Sequence, residues 1–229
     1  MTLLSKRLQA VYQMVDANTR VADIGSDHAY LPVELIEQKV ANFAIAGEVA
    51  PGPMSRSKAD VDKFGLSKQI DVRLGDGLAV IQPEDLIDTV VIAGMGGILI
   101  QNILTNATAE QLSHVKTLVL QPNIGEPLVR HWLVENGFAI IDEDIVEEDH
   151  HDYEIIKATK VTKPLGLTEA QFLMGPVLME KKTASFVNKW QRKLNGYQKA
   201  VNNMQHAKKI DQAKIDVMNQ YIKYIEEIL

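Results

Sequence analysis

The chain has 229 residues, 46% hydrophobic and 24% charged, which suits one full globular domain with a smaller appendage. It has no cysteine, which excludes a disulfide framework, cysteine-ligated zinc and thiol nucleophiles. The net charge of −6 argues against a polyanionic partner until it is divided, because residues 1–163 carry −10 and residues 164–229 carry +4. No charged-then-apolar leader opens the chain, and no apolar run approaches the ~18 residues that span a bilayer, so a soluble, cytoplasmic protein is expected. Asn106-Ala107-Thr108 fits a glycosylation triplet, but without a secretory signal it is read as chance.

Along the chain, Leu4, Leu8, Val11, Tyr12 and Val15 lie at helical spacing, which predicts an amphipathic helix over 4–15. A short strand, Arg20–Ile24, runs into Gly25, and a helix follows over Leu31–Lys39 with Pro32 in its first turn. Ala41–Val49 reads as strand two, ending in Glu48. A helix then starts at Pro51 or Pro53 and runs to Lys63, with Gly65 as its stop. Ile70–Leu74 is strand three, ending in Gly75-Asp76-Gly77. Thr89–Ala93 is an apolar fourth strand ending in a glycine-rich loop, 94–97, before a helix over Ile98–Leu104. Thr117–Gln121 is strand five, and a helix covers Glu126–Asn136 with Gly137 closing it. Phe138–Val146 and Tyr153–Thr159, joined by the acidic turn 147–152, are expected to pair as an antiparallel edge hairpin. The pattern predicts an α/β three-layer sandwich, Rossmann-like, around a mixed seven-stranded sheet.

Near Lys163-Pro164 the character changes, which sets the expected domains at 1–163 and 164–229. Thr168 to Gln171 is a capping box, and Gly175-Pro176 should kink or restart the helix. Phe186, Trp190, Leu194, Tyr197, Val201 and Met204 form one apolar stripe. Ile210, Ala213 or Lys214, Val217, Tyr221, Tyr224 and Ile228 form another. Two helices with a turn near 206–210 predict a coiled-coil-like helical hairpin. Between Lys181 and Ile210 there are eight basic residues, Lys208 and Lys209 among them, and no acidic one. Lys181, Lys182, Lys189, Arg192 and Lys193 are therefore candidates for gripping RNA; a merely solvated helix face is the rival reading. The tail tyrosines and Trp190 read as seam residues in preference to base-stacking platforms.

The chemistry clusters at the carboxyl ends of the strands, where open α/β sheets bind ligands. After strand one come Ser26, Asp27 and His28, polar side chains where a dinucleotide binder keeps bare glycine. Asp27 would repel a pyrophosphate, so a cofactor without phosphate, such as S-adenosylmethionine, fits better. Asp23, Gly25 and Ser26 would line it. Glu48 stands 23 residues beyond Gly25, near the spacing of a ribose-binding carboxylate. Asp76 and Gly77 could receive an adenine, although a strand-end aspartate is as often a helix cap. Gly94 and Met95 open the fourth loop, whose later glycines could instead serve tight packing. His150 and His151 are adjacent on an acidic turn and read as a solvated loop, so no metal site is expected.

The segments LSKRLQAV (4–11), ADIGSDHAYLP (22–32), AIAGEV (44–49), GDGL (75–78), IAGMGG (92–97), QPN (121–123) and W-L-x-x-x-G-F (132–138) closely resemble the bacterial tRNA adenine-N1 methyltransferases that modify adenosine 22. The likeness spans about residues 3–160. It implies a class I methyltransferase fold, S-adenosylmethionine at Gly25, Glu48, Asp76 and the 94–97 loop, and tRNA as substrate, with the target adenine near Asp27, His28, Tyr30 and that loop. The fourth strand lacks the Asn/Asp-Pro-Pro-Tyr/Phe clamp of amino-group adenine methylases, which agrees with attack by a ring nitrogen. Asp27 is the candidate for stabilising the cationic product, His28 and Tyr30 for orienting or stacking the base, and Asn123 for a hydrogen bond to it. A monomer is expected. The competing readings are a small-molecule or different RNA methyltransferase, and an RNA-binding protein with a vestigial cofactor site; a nicotinamide dehydrogenase is disfavoured by the missing glycines.

Overall fold

The computed structural model describes residues 4–207 and 210–229, so Lys208 and Lys209 of the basic run lie outside the described residues. The chain divides into two compact units that part after Gly166. The first alternates strand and helix: α1 (Lys6–Gln13), β1 (Thr19–Ile24), α2 (Tyr30–Glu37), β2 (Ala41–Glu48), α3 (Pro51–Lys63), β3 (Ile70–Leu74), β4 (Thr89–Gly96), α4 (Gly97–Thr105), β5 (Thr117–Ile124), α5 (Glu126–Glu135), β6 (Phe138–Glu148) and β7 (His151–Lys160).

The strands form one mixed seven-stranded sheet in the order β3-β2-β1-β4-β5-β7-β6, in which β7 runs antiparallel to both its neighbours, β5 and β6, and the other pairings are parallel. Its apolar runs are explained by burial on both faces. Ala22, Ile24, Val90, Ile92, Leu118 and Leu120 point into a core with α4 and α5, where Ile100, Leu104, Val129, Trp132 and Leu133 meet them. The alternate residues Val21, Val91 and Val119 point to the opposite core, shared with Val11, Leu35 and Val61 of α1, α2 and α3. This is the expected three-layer sandwich. The strand order reverses between β1 and β4, which opens a crevice at their carboxyl ends.

Two segments differ from expectation. β4 and β5 do not stop at Ala93 and Gln121; they stay paired through Met95–Pro122 and Gly96–Ile124 with register shifts. The glycine-rich segment is thus a bulged strand end, held by side chains described below. The acidic turn is also shorter than expected. β6 and β7 continue to Glu148 and His151, leaving Asp149 and His150 as a tight turn with φ of 49° and 62°. Positive φ at both central residues matches the twist of a two-residue hairpin, which propensity alone does not favour for His. Where the hairpin meets α5, Arg130 is wholly buried and bonds two carboxylates. Its Nε donates to Glu143 Oε1 at 2.8 Å, and its Nη2 donates to Glu154. Burial opposes its charge, but Glu154 and Glu143 outweigh that and hold the guanidinium above its ordinary pKa.

The second unit is helical: α6 (Glu169–Met174), α7 (Pro176–Lys181), α8 (Ala184–Gln205) and α9 (Gln212–Ile228). Thr168 caps α6 in the expected box with Gln171. Phe186, Trp190, Leu194 and Val201 form the buried stripe of α8, while α9 buries Ile215 and Ile225. The α9 stripe departs from the expected one at its start, where Ile210 and Val217 are exposed, while Tyr221, Tyr224 and Ile228 are half-buried. Tyr197 and Tyr221 meet across the hairpin with ring centroids 5.7 Å apart. Among the described residues, no helix is long and apolar enough to cross a membrane.

Candidate functional site

The crevice beside β1 is built by a turn of unusual backbone. Gly25 has a φ of 72°, and Asp27, His28 and Ala29 follow with 36°, 64° and 53°. Three successive non-glycine residues in the left-handed region carry strain that neighbouring bonds must hold. The amides of Gly25 and Ser26 donate to the Gly47 carbonyl of β2 at 2.9 and 3.2 Å. The Asp27 amide donates to Glu48 Oε1 at 2.7 Å, and the Ser57 hydroxyl of α3 reaches the same oxygen at 3.5 Å. From α3, Asp60 Oδ2 lies 2.8 Å from His28 Nδ1. The His28 ring in turn stacks on Tyr30, with centroids 5.2 Å apart and planes at 8°. The Asp27 side chain is left 79% exposed, aimed at no partner closer than His28 Nε2 at 3.9 Å.

Beneath this turn, Asp23 is buried and accepts a 2.6 Å bond from the Ser26 hydroxyl. Burial pushes its carboxyl up to about 7; the Ser26 bond holds it down, the Glu48 charge adds to the rise, and Arg7 pulls it down. A buried carboxyl so poised suits a cationic ligand group that restores its ionised form.

Opposite, the end of β4 is organised by Gln121, a wholly buried amide at the end of an apolar strand. Its Oε1 accepts from the Gly94 amide at 3.0 Å and from Arg7 Nη1 at 2.7 Å, and its Nε2 donates to Asn123 Oδ1 at 3.3 Å. The Asn123 amide donates to the Gly94 carbonyl at 2.8 Å, closing the bulge. A methyl group at Gly94, whose φ is 78°, would stand 3.2 Å from Arg7 Nη1. Met95 lays its methyl over Gly25, across the crevice. Gly97 is fixed by close approach, since a Cβ there would stand 2.4 Å from the Gly125 carbonyl oxygen. That part of the glycine run serves packing. Further along the strand ends, Asp76, Gly77 and Leu78 line a cleft of about 160 Å³ with Leu99, Asn102 and Ile103 of α4.

The structure therefore gathers Asp23, Gly25, Ser26, Asp27, His28, Tyr30 and Glu48 on one side of the crevice, and Gly94, Met95 and Asn123 on the other. Asp76 and Gly77 lie at the neighbouring cleft. Four participants escaped the sequence reading: Arg7, Ser57, Asp60 and Gln121. The signal for Gln121 was a lone amide ending an apolar strand; for Ser57 and Asp60 it was two polar residues one turn apart on α3. In the helical unit, Lys181, Lys182, Arg192 and Lys193 are exposed. Lys189 is not. It is buried, with Nζ 5.7 Å from the Trp190 ring centre, so it does not offer the solvent-facing charge expected of it. Among the described residues, no group of three His, Cys, Asp or Glu side chains could hold a metal ion.

Residues 21–227 match the family model described as tRNA (adenine(22)-N(1))-methyltransferase. A Bacillus subtilis protein of that name is 41% identical over 215 residues, covering 92% of this chain and 90% of its own. The crystal structure of the B. subtilis m1A22 tRNA methyltransferase superposes with a TM-score of 0.90 at 37% identity, covering 100% of this chain and 99% of the other. An M. capricolum structure in complex with S-adenosylhomocysteine, the cofactor product, superposes with a TM-score of 0.83 at 27% identity, covering 99% of each chain.

Proposed function

Since the chain belongs to the tRNA (adenine(22)-N(1))-methyltransferase family, we propose that its reaction takes place between the Gly25–Tyr30 turn and the β4 end at Gly94. The enzyme is an S-adenosylmethionine-dependent methyltransferase acting on N1 of adenosine 22 in tRNA. S-adenosylmethionine supplies an activated methyl group on its sulfonium when bound.

The residues present fit that cofactor. Asp23, buried and with its carboxyl pushed up to about 7, suits the α-ammonium of the amino-acid end. Gly25 and Ser26 shape the floor, and Gly94 and Met95 the facing wall. Glu48 has one oxygen fixed by the Asp27 amide, which leaves the other to accept from ribose hydroxyls. Asp76 and Gly77 border the cleft that suits the adenine ring. The Asp23 assignment sets a pH dependence. The ammonium requires the ionised carboxylate, so affinity for S-adenosylhomocysteine should fall roughly tenfold per unit below pH 7. Titration calorimetry between about pH 5.5 and 7 reads this. An Asp23→Asn variant whose affinity shows the same slope would remove Asp23 from that role.

Adenine N1 carries an in-plane lone pair, so no strong base is needed for its attack, and placement in line with the methyl group does most of the work. His28 and Tyr30, stacked in parallel and pinned through Asp60, present a flat surface to orient the base. Asn123, held against Gly94, stands where it can meet the base edge. Asp27 supplies a negative charge beside the base as it becomes cationic. The observation that carries this reading is the exposed Asp27 carboxylate on a backbone locked to Glu48. Lys181, Lys182, Arg192 and Lys193 hold the tRNA body through its phosphates.

One experiment tests these roles. Unmodified tRNA transcripts are incubated with S-adenosylmethionine, and 1-methyladenosine is mapped by nuclease digestion and mass spectrometry. Asp27→Ala should lower kcat by about 100-fold with the KM for tRNA little changed. Neutralising the four exposed basic residues should raise KM and flatten its salt dependence while sparing kcat. Wild-type kcat in Asp27→Ala, or an unchanged salt slope, would refute the respective role.

A further inference from the structure

The described exposed apolar side chains of the N-terminal unit gather at the carboxyl ends of the strands. Tyr30, Val49, Leu74, Ile98, Leu99, Ile124 and Leu128 are there, while only Leu86, Ile141 and Leu165 lie elsewhere. Large apolar groups clustered at one place on a soluble protein mark a binding surface. Some belong with the cofactor. Val49 and Leu74 border Glu48 and Asp76, and Leu99 lines the Asp76 cleft. Tyr30 is stacked on His28.

Ile98, Ile124 and Leu128 are left over, at 64%, 73% and 40% exposure. They belong to one small junction. Ile98 is the second residue of α4 and Leu128 sits in the first turn of α5, and these helix starts touch through Gly97 and Gly125. The position of a Cβ on Gly125 is 3.5 Å from Leu128 Cδ1, and that on Gly96 is 3.9 Å from an Ile124 side-chain carbon. Ile124 directly follows Asn123, which is pinned to Gly94 at the mouth of the site. The ledge is thus continuous with the place where the target base must enter. It stands on two helix starts in backbone contact, so it is rigid.

We propose that Ile98, Ile124 and Leu128 form an apolar wedge that enters the tRNA beside adenosine 22 and occupies the stacking space the base leaves when it turns into the site. The proposal rests on the methylation of N1 of adenosine 22 described above. A base stacked in folded RNA has to be exposed before N1 can meet the methyl group, and unstacking costs a few kcal/mol. Inserted aliphatic side chains offset that cost by covering the faces of the neighbouring bases. Without the wedge the enzyme would lose its advantage on structured RNA only.

The test uses the full chain and the double variant Ile98→Ser/Ile124→Ser, compared on two RNAs. One is the folded tRNA transcript; the other is a short unpaired oligonucleotide containing the same adenosine. On folded tRNA, kcat/KM should fall between about 10- and 100-fold, and on the oligonucleotide it should stay within about twofold of wild type. Affinity for S-adenosylhomocysteine and the melting temperature should not change, because both side chains are exposed. With 2-aminopurine in place of adenine 22, the wild-type enzyme should raise emission on binding, and the variant should bind without that rise. Equal losses on both RNAs, no loss on folded tRNA, or an undiminished emission rise would each overturn the wedge. A wild-type enzyme that methylates N1 in neither RNA would instead overturn the underlying activity.

Discussion

Glu48→Ala will abolish tight cofactor binding and most of the activity. A carboxylate that accepts from two ribose hydroxyls contributes through two charge-assisted bonds, each worth ~1.5–3 kcal/mol. Their loss corresponds to a rise in Kd for S-adenosylhomocysteine of between about 100- and 10,000-fold, read by calorimetry. A second effect comes from the other face of the same group. Glu48 Oε1 is the acceptor for the Asp27 amide, so the variant also releases the turn that presents Asp27 and His28. kcat at saturating cofactor should therefore fall as well, which a residue confined to ribose binding would not cause. Ser57→Ala removes only the long 3.5 Å contact and serves as the mild control. If Glu48→Ala raised Kd with kcat intact, the link between the carboxylate and the turn would be wrong.

Arg130→Met will destabilise the protein by about 3–5 kcal/mol, the usual cost of removing one partner from a buried ion pair. Glu143 and Glu154 converge on this guanidinium from β6 and β7, and all three groups are out of water. Without the cation, two carboxylates stay buried at close quarters. Thermal denaturation should show a fall in the melting temperature. Adding Glu143→Leu and Glu154→Leu should restore most of the loss, because apolar groups of similar volume replace such clusters at little cost. A triple variant no more stable than Arg130→Met would show that the cluster is not what the hairpin depends on.

The parallel part of the sheet was legible because buried strands read as short apolar runs and their helices carry stops such as Gly65 and Gly137. The motif-bearing turn was also legible, since Ser26, Asp27 and His28 stand where other nucleotide binders have glycine. What escaped was set by contacts distant in sequence. The β4 extension depends on Gln121 and Asn123 replacing backbone partners of Gly94, which no local pattern around Gly94 discloses. Arg7 reaches the site from a helix that precedes the sheet, 114 residues away from the Gln121 it bonds. The start of the α9 stripe was not legible because Ile210 and Val217 fit a helical period about as well as the buried Ile215 and Ile225. Lys189 was misread for a related reason: a lysine at a seam position buries its stem, and charge alone does not show on which side of the stripe it falls.

The three left-handed residues after Ser26 bear on how far this protein can be improved. Each L-residue in that conformation costs about 1–2 kcal/mol relative to glycine, so the turn stores strain that glycines at 27, 28 and 29 would release. Stability and activity are therefore opposed at this turn. Substitutions selected for heat resistance would drift toward glycine here and erase Asp27 and His28 together. A thermostable catalyst of this kind has to gain its stability elsewhere and leave the strained turn as it is.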